Sequence, residues 1–326
     1  MTSDWQPSAI FKTLRVRAQL LARVRCFFAR RAVLEVETPM LSAAATPAPY
    51  IDSFSVAYQG PQASSSGQLY LHTSPEFPMK RLLAAGSGDI YQLCRVFRDG
   101  EAGARHNPEF TLLEWYRVGF KLPQLIAEVE GLLRSVLAGV RELPVAQHFT
   151  YRNLFLHFAK LDGLGATAQE LAACLRLHGH CPPPGVTLDD LDAWRDLVLT
   201  HIIEPQLTGL LFVTEYPASQ AALARIIAGT PPVAARFECY LDGVELANGF
   251  HELADVAEQR ARFEQENSMR AAAGRATLPL DEKLLSALAS GLPDCCGVAL
   301  GFDRLLLSVT GAVHIAEVLA FGIDRA

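Results

Sequence analysis

The chain has 326 residues, half of them apolar and a fifth charged, and carries a net charge of −6. This is an ordinary globular composition with material for a large core, and its acidic balance argues against a broad nucleic-acid-binding face. No apolar run nears the ~20 residues that span a bilayer, no secretory leader is visible, and seven scattered cysteines without a CxxC predict a reduced, cytoplasmic protein.

Leu14, Ala18, Leu21 and Phe28 recur near helical spacing, predicting an amphipathic helix over 10–31. Val33 to Glu37 alternates as a strand and stops before Pro39. The composition of Gln59 to Gly67 predicts a surface loop. Strands are expected over 90–97 and 110–116, joined by a polar segment, and an amphipathic helix over 122–137 follows. Residues 143–208 carry helical patterns broken at Pro182-Pro183-Pro184-Gly185 and read as a helical insertion on the core. Leu210 to Thr214 is a short buried strand. Asp242-Gly243 is the strongest hairpin signal in the chain. A polar helix is expected over 254–273, then a strand over 297–300 leading into a helix near Asp303, its expected N-cap. Hairpins dominate, so the expected fold class is α+β: one antiparallel sheet flanked by helices, in a single domain.

Several routes to chemistry are absent: no GxxxxGK[ST], no GxGxxG after a strand, no HExxH and no GxSxG. His178, His180 and Cys181 lack a second ligand pair and read as a loop, and Cys295-Cys296 as small packing groups. Three clusters stand out. Phe97 to Tyr116 places Arg98, Arg105 and His106 between paired strands, where a guanidinium suits a phosphate or carboxylate; a surface hairpin with ion pairs is the bland alternative. In Val244 to Leu253, Glu245 and Glu252 are seven apart and fall on opposite faces of an unbroken strand. They converge only if Asn248-Gly249 bends the chain, and converging carboxylates suit magnesium. In Gly297 to Leu307, small residues precede Arg304 in a first helical turn, where its charge needs an anionic partner.

Together, in this order, the clusters resemble motifs 2 and 3 of class II aminoacyl-tRNA synthetases. Gly301-Phe302-Asp303-Arg304 is similar to motif 3, and Phe97-Arg98 with His106-Asn107-Pro108-Glu109-Phe110 to motif 2 of the lysyl subgroup. Arg31 to Leu41, with Pro39, resembles the dimer-forming motif 1. Phe77 to Gly86, Tyr216 to Gln220 and Ala299 resemble the branch whose members attach (R)-β-lysine to elongation factor P, and the chain starts too near the catalytic domain for an upstream anticodon-binding domain.

The resemblance implies an ATP- and Mg²⁺-using homodimer that forms an aminoacyl adenylate from β-lysine or lysine. It would transfer the acyl group to a lysine of elongation factor P, with tRNA an unlikely partner and no membrane involved. Arg98 would contact the α-phosphate and the substrate carboxylate. Phe110 would stack on adenine with Arg304 opposite. Asp99, Gly100, His106, Asn107, Leu246 and Gly301 would surround the nucleotide. Glu245 and Glu252 would hold magnesium, while Ser74, Pro75, Glu76, Tyr116, Glu252 and Ala299 would line the amino-acid pocket. One departure is Gly100, where motif 2 of the subgroup has a Glu; Glu101 is the nearest replacement. The rival readings are a shortened lysyl-tRNA synthetase and a catalytically inactive binding module.

Overall fold

The computed structural model describes residues 5–61 and 67–326. Residues 62–66 of the loop expected over 59–67 lie outside them. In chain order the elements are α1 (Phe11–Ala29), β1 (Leu34–Glu35), β2 (Leu41–Ser42), β3 (Ser55–Ala57), β4 (Gln68–Leu71), α2 (Glu76–Ala84), β5 (Ile90–Phe97), β6 (Glu109–Val118) and α3 (Leu122–Leu137). Next come β7 (Gln147–Thr150), α4 (Tyr151–Phe158), α5 (Ala168–Leu177), α6 (Leu191–Val198) and β8 (Leu210–Pro217). The chain ends through β9 (Ile226–Ile227), β10 (Val233–Leu241), β11 (Val244–His251), α7 (Val256–Ala272), α8 (Glu282–Gly291), β12 (Cys295–Gly301) and α9 (Phe302–Thr310).

The main sheet runs β1-β5-β6-β12-β11-β10-β8-β7, with β9 paired to β10. Only the β1–β5 and β7–β8 pairs are parallel, so the α+β class holds with a mixed, mostly antiparallel sheet. One face is dry. Leu20, Val24 and Phe28 of α1, Val129 and Leu133 of α3, and Leu305 and Leu306 of α9 cover Trp115, Val298, Phe237 and Cys239. α1 has no side-chain cap. Burying three large side chains, at about 1.5–3 kcal/mol each, outweighs the ~1 kcal/mol a cap supplies.

The opposite face carries polar groups. Register aligns Gln92, Glu114, Ala299, Asn248 and Glu238 in one row across five strands. Two helical groups flank this row. α4, α5 and α6, from the stretch expected as an insertion, pack on Leu211, Val213, Tyr216 and Tyr240. α2, α7 and α8 pack at the other end against Ile90 and Tyr116.

Two local expectations are corrected. Asn248 and Gly249 sit in regular pairing with both neighbouring strands, and the bend lies elsewhere. Tyr240 pairs with Glu245 but Cys239 with Ala247, so Leu246 is a bulge residue. The extra residue shifts the alternation by one and returns Glu245 to the face of Asn248. Asp303 does not cap α9, whose N-cap is Gly301. It is buried, accepts the Thr111 N–H at 2.8 Å and pairs with Arg17, tying α1 to β6.

Candidate active site

A cavity of about 630 Å³ opens on the polar face. Its inner end holds Glu76, Glu114, Tyr116, Glu252 and Ala299, and Arg98 reaches it from the β5–β6 loop. Ser74 lines it too; Pro75 instead occupies the N-cap position of α2, where its carbonyl accepts the Met79 N–H.

The inner end is a buried carboxylate cluster around one ammonium. Lys80, on α2 one turn after Glu76, lies 2.6 Å from both Glu76 and Glu252. Burial works against its charge, but Glu252 and Glu76 more than offset that and raise its pKa. Glu114 is also buried and accepts the Tyr116 hydroxyl proton at 2.7 Å, while its Oε2 has no partner among the described residues. Three carboxylates thus share one cation. Burial lifts Glu114 and Glu252 above the ordinary carboxylate range, with Glu76 adding repulsion to both. Gly297 makes the arrangement feasible, since a Cβ there would stand 2.3 Å from the Tyr116 ring and 2.5 Å from Glu252 Oε1.

The second region surrounds the β5–β6 loop and the start of α9. Arg98 stacks over Phe110 with its guanidinium carbon 5.1 Å from the ring centroid. Its charged neighbour is Glu101 at 3.6 Å. Gly100 itself has φ +77°, a left-handed conformation that favours glycine, and this accounts for the residue that stands there. Arg304 donates to His106 Nε2 at 2.6 Å and to Glu245 Oε2 at 3.1 Å. Glu245 is therefore the anionic partner its position in the first turn of α9 requires. Burial first, then the Arg304 charge, lower the His106 pKa and keep the ring a neutral acceptor. Nothing crowds Gly301: an added Cβ would meet only the Arg304 side chain in ordinary contact.

Three residues expected at the nucleotide make contacts of their own within the protein. The Leu246 side chain is in the core on the far face, a result of the bulge. Asn107 donates to the Glu109 carbonyl at 2.7 Å and accepts the Ile323 N–H, bracing the loop. Asp99 forms a backbone bridge with Asp52.

The structure does not bring Glu245 and Glu252 together. One is held by Arg304 and the other by Lys80, some six strand positions or roughly 20 Å apart. Among the described residues no cluster of three or more His, Cys, Asp or Glu side chains is arranged to hold a metal unaided. With its carboxylate taken by Arg236 and by the Tyr216 and Tyr240 hydroxyls, Glu238 lies on the same face of the next strand as Glu245. With Glu204, these form an acidic group whose charges act on one another; burial, then Glu245 and Glu238, lifts Glu204 to about 7. Sequence reasoning missed Lys80, Glu204 and Glu238. Only Glu238 left a signal, in the alternation Arg236-Phe237-Glu238-Cys239-Tyr240, which turns every second side chain to one face.

A cation-binding end and an anion-binding end therefore share one sheet face. Residues 3–325 match the family of class II tRNA synthetases (D, K and N). The chain belongs to that family. Membership implies an ATP-dependent amino-acid ligase and accounts for the helix-flanked, mostly antiparallel sheet. Among the described residues no helix of this synthetase-family chain is long and apolar enough to cross a membrane.

Proposed function

We propose that the chain activates (R)-β-lysine, or lysine, as an adenylate and transfers it to a lysine side chain of elongation factor P. The observation that carries the amino-acid class is the excess of carboxylate at half-buried Glu76 and buried Glu114 and Glu252, in a cavity that Arg98 also lines. A substrate with ammonium groups at one end and a carboxylate at the other satisfies both ends. The acceptor rests on the resemblance of Phe77–Gly86, Tyr216–Gln220 and Ala299 to the ligases of that branch.

In the first half-reaction the substrate carboxylate attacks the α-phosphorus of ATP and pyrophosphate leaves. Arg98 offsets the repulsion between the anions and the charge that develops, and Arg304, positioned by Glu245, does so from α9. Phe110, held under Arg98, offers a flat apolar surface to adenine. Glu245, rather than Glu252, would hold Mg²⁺; such an ion needs only one or two carboxylates when phosphate oxygens complete its shell, and it would neutralise charge there. Glu76, Glu114 and Glu252 orient the ammonium groups, and no side-chain nucleophile is required. In the second half-reaction the acceptor amine displaces AMP from the acyl carbon. A homodimer formed through the exposed Phe11, Leu34, Met40 and Leu41 surface is part of the same reading.

The test is ATP–pyrophosphate exchange with each lysine isomer, followed by mass measurement of elongation factor P after incubation with ATP, magnesium and β-lysine. A mass gain of one acyl group is the expected result. Exchange with no lysine isomer refutes activation, and charging of tRNA in place of the protein assigns the chain to tRNA synthesis.

A further inference from the structure

The cavity is larger than its amino-acid end requires. At the roughly 30 Å³ a water occupies in the liquid, the ten or so heavy atoms of a lysine-like substrate fill at most about half of its 630 Å³. The remainder is an outer lobe between the 43–51 segment, α2 and α7, walled by Ala44, Ala45, Phe77, Phe263 and Leu280. Small and apolar residues line much of it, and the carboxylate of Glu266 stands among them, with Arg81, Asp281, Glu282 and Lys283 also on the cavity wall.

Glu266 stands three residues after Phe263, on the same face of α7. Phe263 is buried and lines the cavity, so Glu266 is turned the same way. It makes no hydrogen bond or ion pair among the described residues. The one cation whose field lowers its pKa, Arg262, is itself taken by Glu258 and by the Ala222 and Ala224 carbonyls. Glu76 lies near enough to repel it, so the lobe adjoins the inner carboxylates. The wall behind it is pinned, because Asn267 exchanges two hydrogen bonds with the Leu278 backbone. A partly buried carboxylate without a donor is costly unless a cation visits it.

We propose that the outer lobe is the entrance for the acceptor amine: the aliphatic stem of a lysine side chain lies along Ala44, Phe77 and Phe263, and Glu266 receives its ammonium. This deepens the ligase reading and rests on it. The ammonium gives one proton to the Glu266 carboxylate, and the free amine attacks the acyl carbon of the adenylate. A C–N bond forms as the C–O bond to AMP breaks, the electron pair leaving on the phosphate oxygen. The second N–H proton passes to solvent. Burial, with Glu76 adding to it, lifts Glu266 to about 7, a value suited to receiving that proton.

The experiment compares two nucleophiles on the full-length protein with ATP, magnesium and β-lysine. Hydroxylamine, uncharged at neutral pH, traps the adenylate as a hydroxamate. Nα-acetyl-lysine methylamide, cationic at neutral pH, reports transfer to a lysine side chain. In Glu266→Gln the hydroxamate rate stays unchanged while transfer to the lysine amide falls by about tenfold or more. Glu266→Asp retains part of the transfer. Equal losses with both nucleophiles would place Glu266 in the activation step and overturn the proposal, and undiminished transfer would overturn it as well. If the unsubstituted protein yields no hydroxamate with any lysine isomer, the ligase reading itself falls.

Discussion

Replacing Lys80 by methionine removes the one cation at the centre of the carboxylate cluster while keeping the length of the side chain. Lys80 is 1% exposed and stands 2.6 Å from both Glu76 and Glu252. Removing one partner of such a buried pair costs about 3–5 kcal/mol, because the other charge is left uncompensated. With an unfolding entropy of about 2.1 cal/mol/K per residue, the 326 residues give roughly 0.7 kcal/mol/K, so the midpoint falls by roughly 4–7 °C. The sign of the pH dependence is fixed by the carboxylates. Burial already raises Glu252 and Glu114, and losing Lys80 raises Glu252 further. A carboxyl whose folded pKa exceeds its unfolded value destabilises the fold increasingly as pH climbs from the unfolded pKa to the folded one. Thermal unfolding followed by circular dichroism at pH 5 and pH 8 should therefore show the larger deficit at pH 8. A Lys80→Met midpoint within 1 °C of the parent at pH 8, or a deficit that grows on acidification, refutes the account.

Arg98→Ala removes a guanidinium with a single ion-pair neighbour at 3.6 Å, so the circular dichroism spectrum stays unchanged while amino-acid-dependent exchange drops by about 10²–10³-fold; retained exchange dismisses its role. Ala299→Gly deletes a methyl that lies between Asn248 and Glu114 on the pocket floor, and should move the ratio of β-lysine to α-lysine exchange toward α-lysine. An unaltered ratio disposes of that argument. Burial holds Glu252 near a pKa of about 7, so the KM for the amino acid should rise as pH falls from 8 to 6 and the carboxylate is neutralised. A flat KM over that range contradicts it.

Much of the fold was legible because periodicity reports which side of an element is dry. The apolar repeat over 122–137 coincides with α3, and Asp242-Gly243 does turn β10 into β11, with both residues at positive φ. The site was legible in part. Arg98 stacks on Phe110, and Arg304 meets His106 and Glu245, while the Glu245–Glu252 pair that the resemblance implies for magnesium is held apart and the Leu246 side chain faces the core. The bulge at Leu246 puts Glu245 on the face of Asn248, and a single extra residue leaves little trace in an alternating sequence; what separates Glu245 from Glu252 is distance along the strand. Lys80 was unreadable for another reason. A lysine in an apolar helical stretch looks like a solvated surface charge until tertiary packing supplies the two carboxylates that bury it.

The two ends of the site are separated by register rather than by loops, and that bears on specificity. Glu114 and Leu112 lie two residues apart on β6, about 7 Å at the rise of an antiparallel strand. Leu112 pairs with Gly301, where β12 gives way to α9 and Arg304, while Glu114 pairs with Ala299 beside the carboxylate cluster. The backbone positions that carry the carboxylate cluster and the start of α9 are thus fixed relative to one another by strand pairing. Hydrogen-bonded strands cannot slide by less than a residue pair without turning every side chain to the other face. The spacing is therefore rigid, and an amino acid with a shorter amine-bearing chain cannot reach both ends at once. It would leave a buried carboxylate unpaired, a cost larger than that of a missing methylene in an apolar pocket.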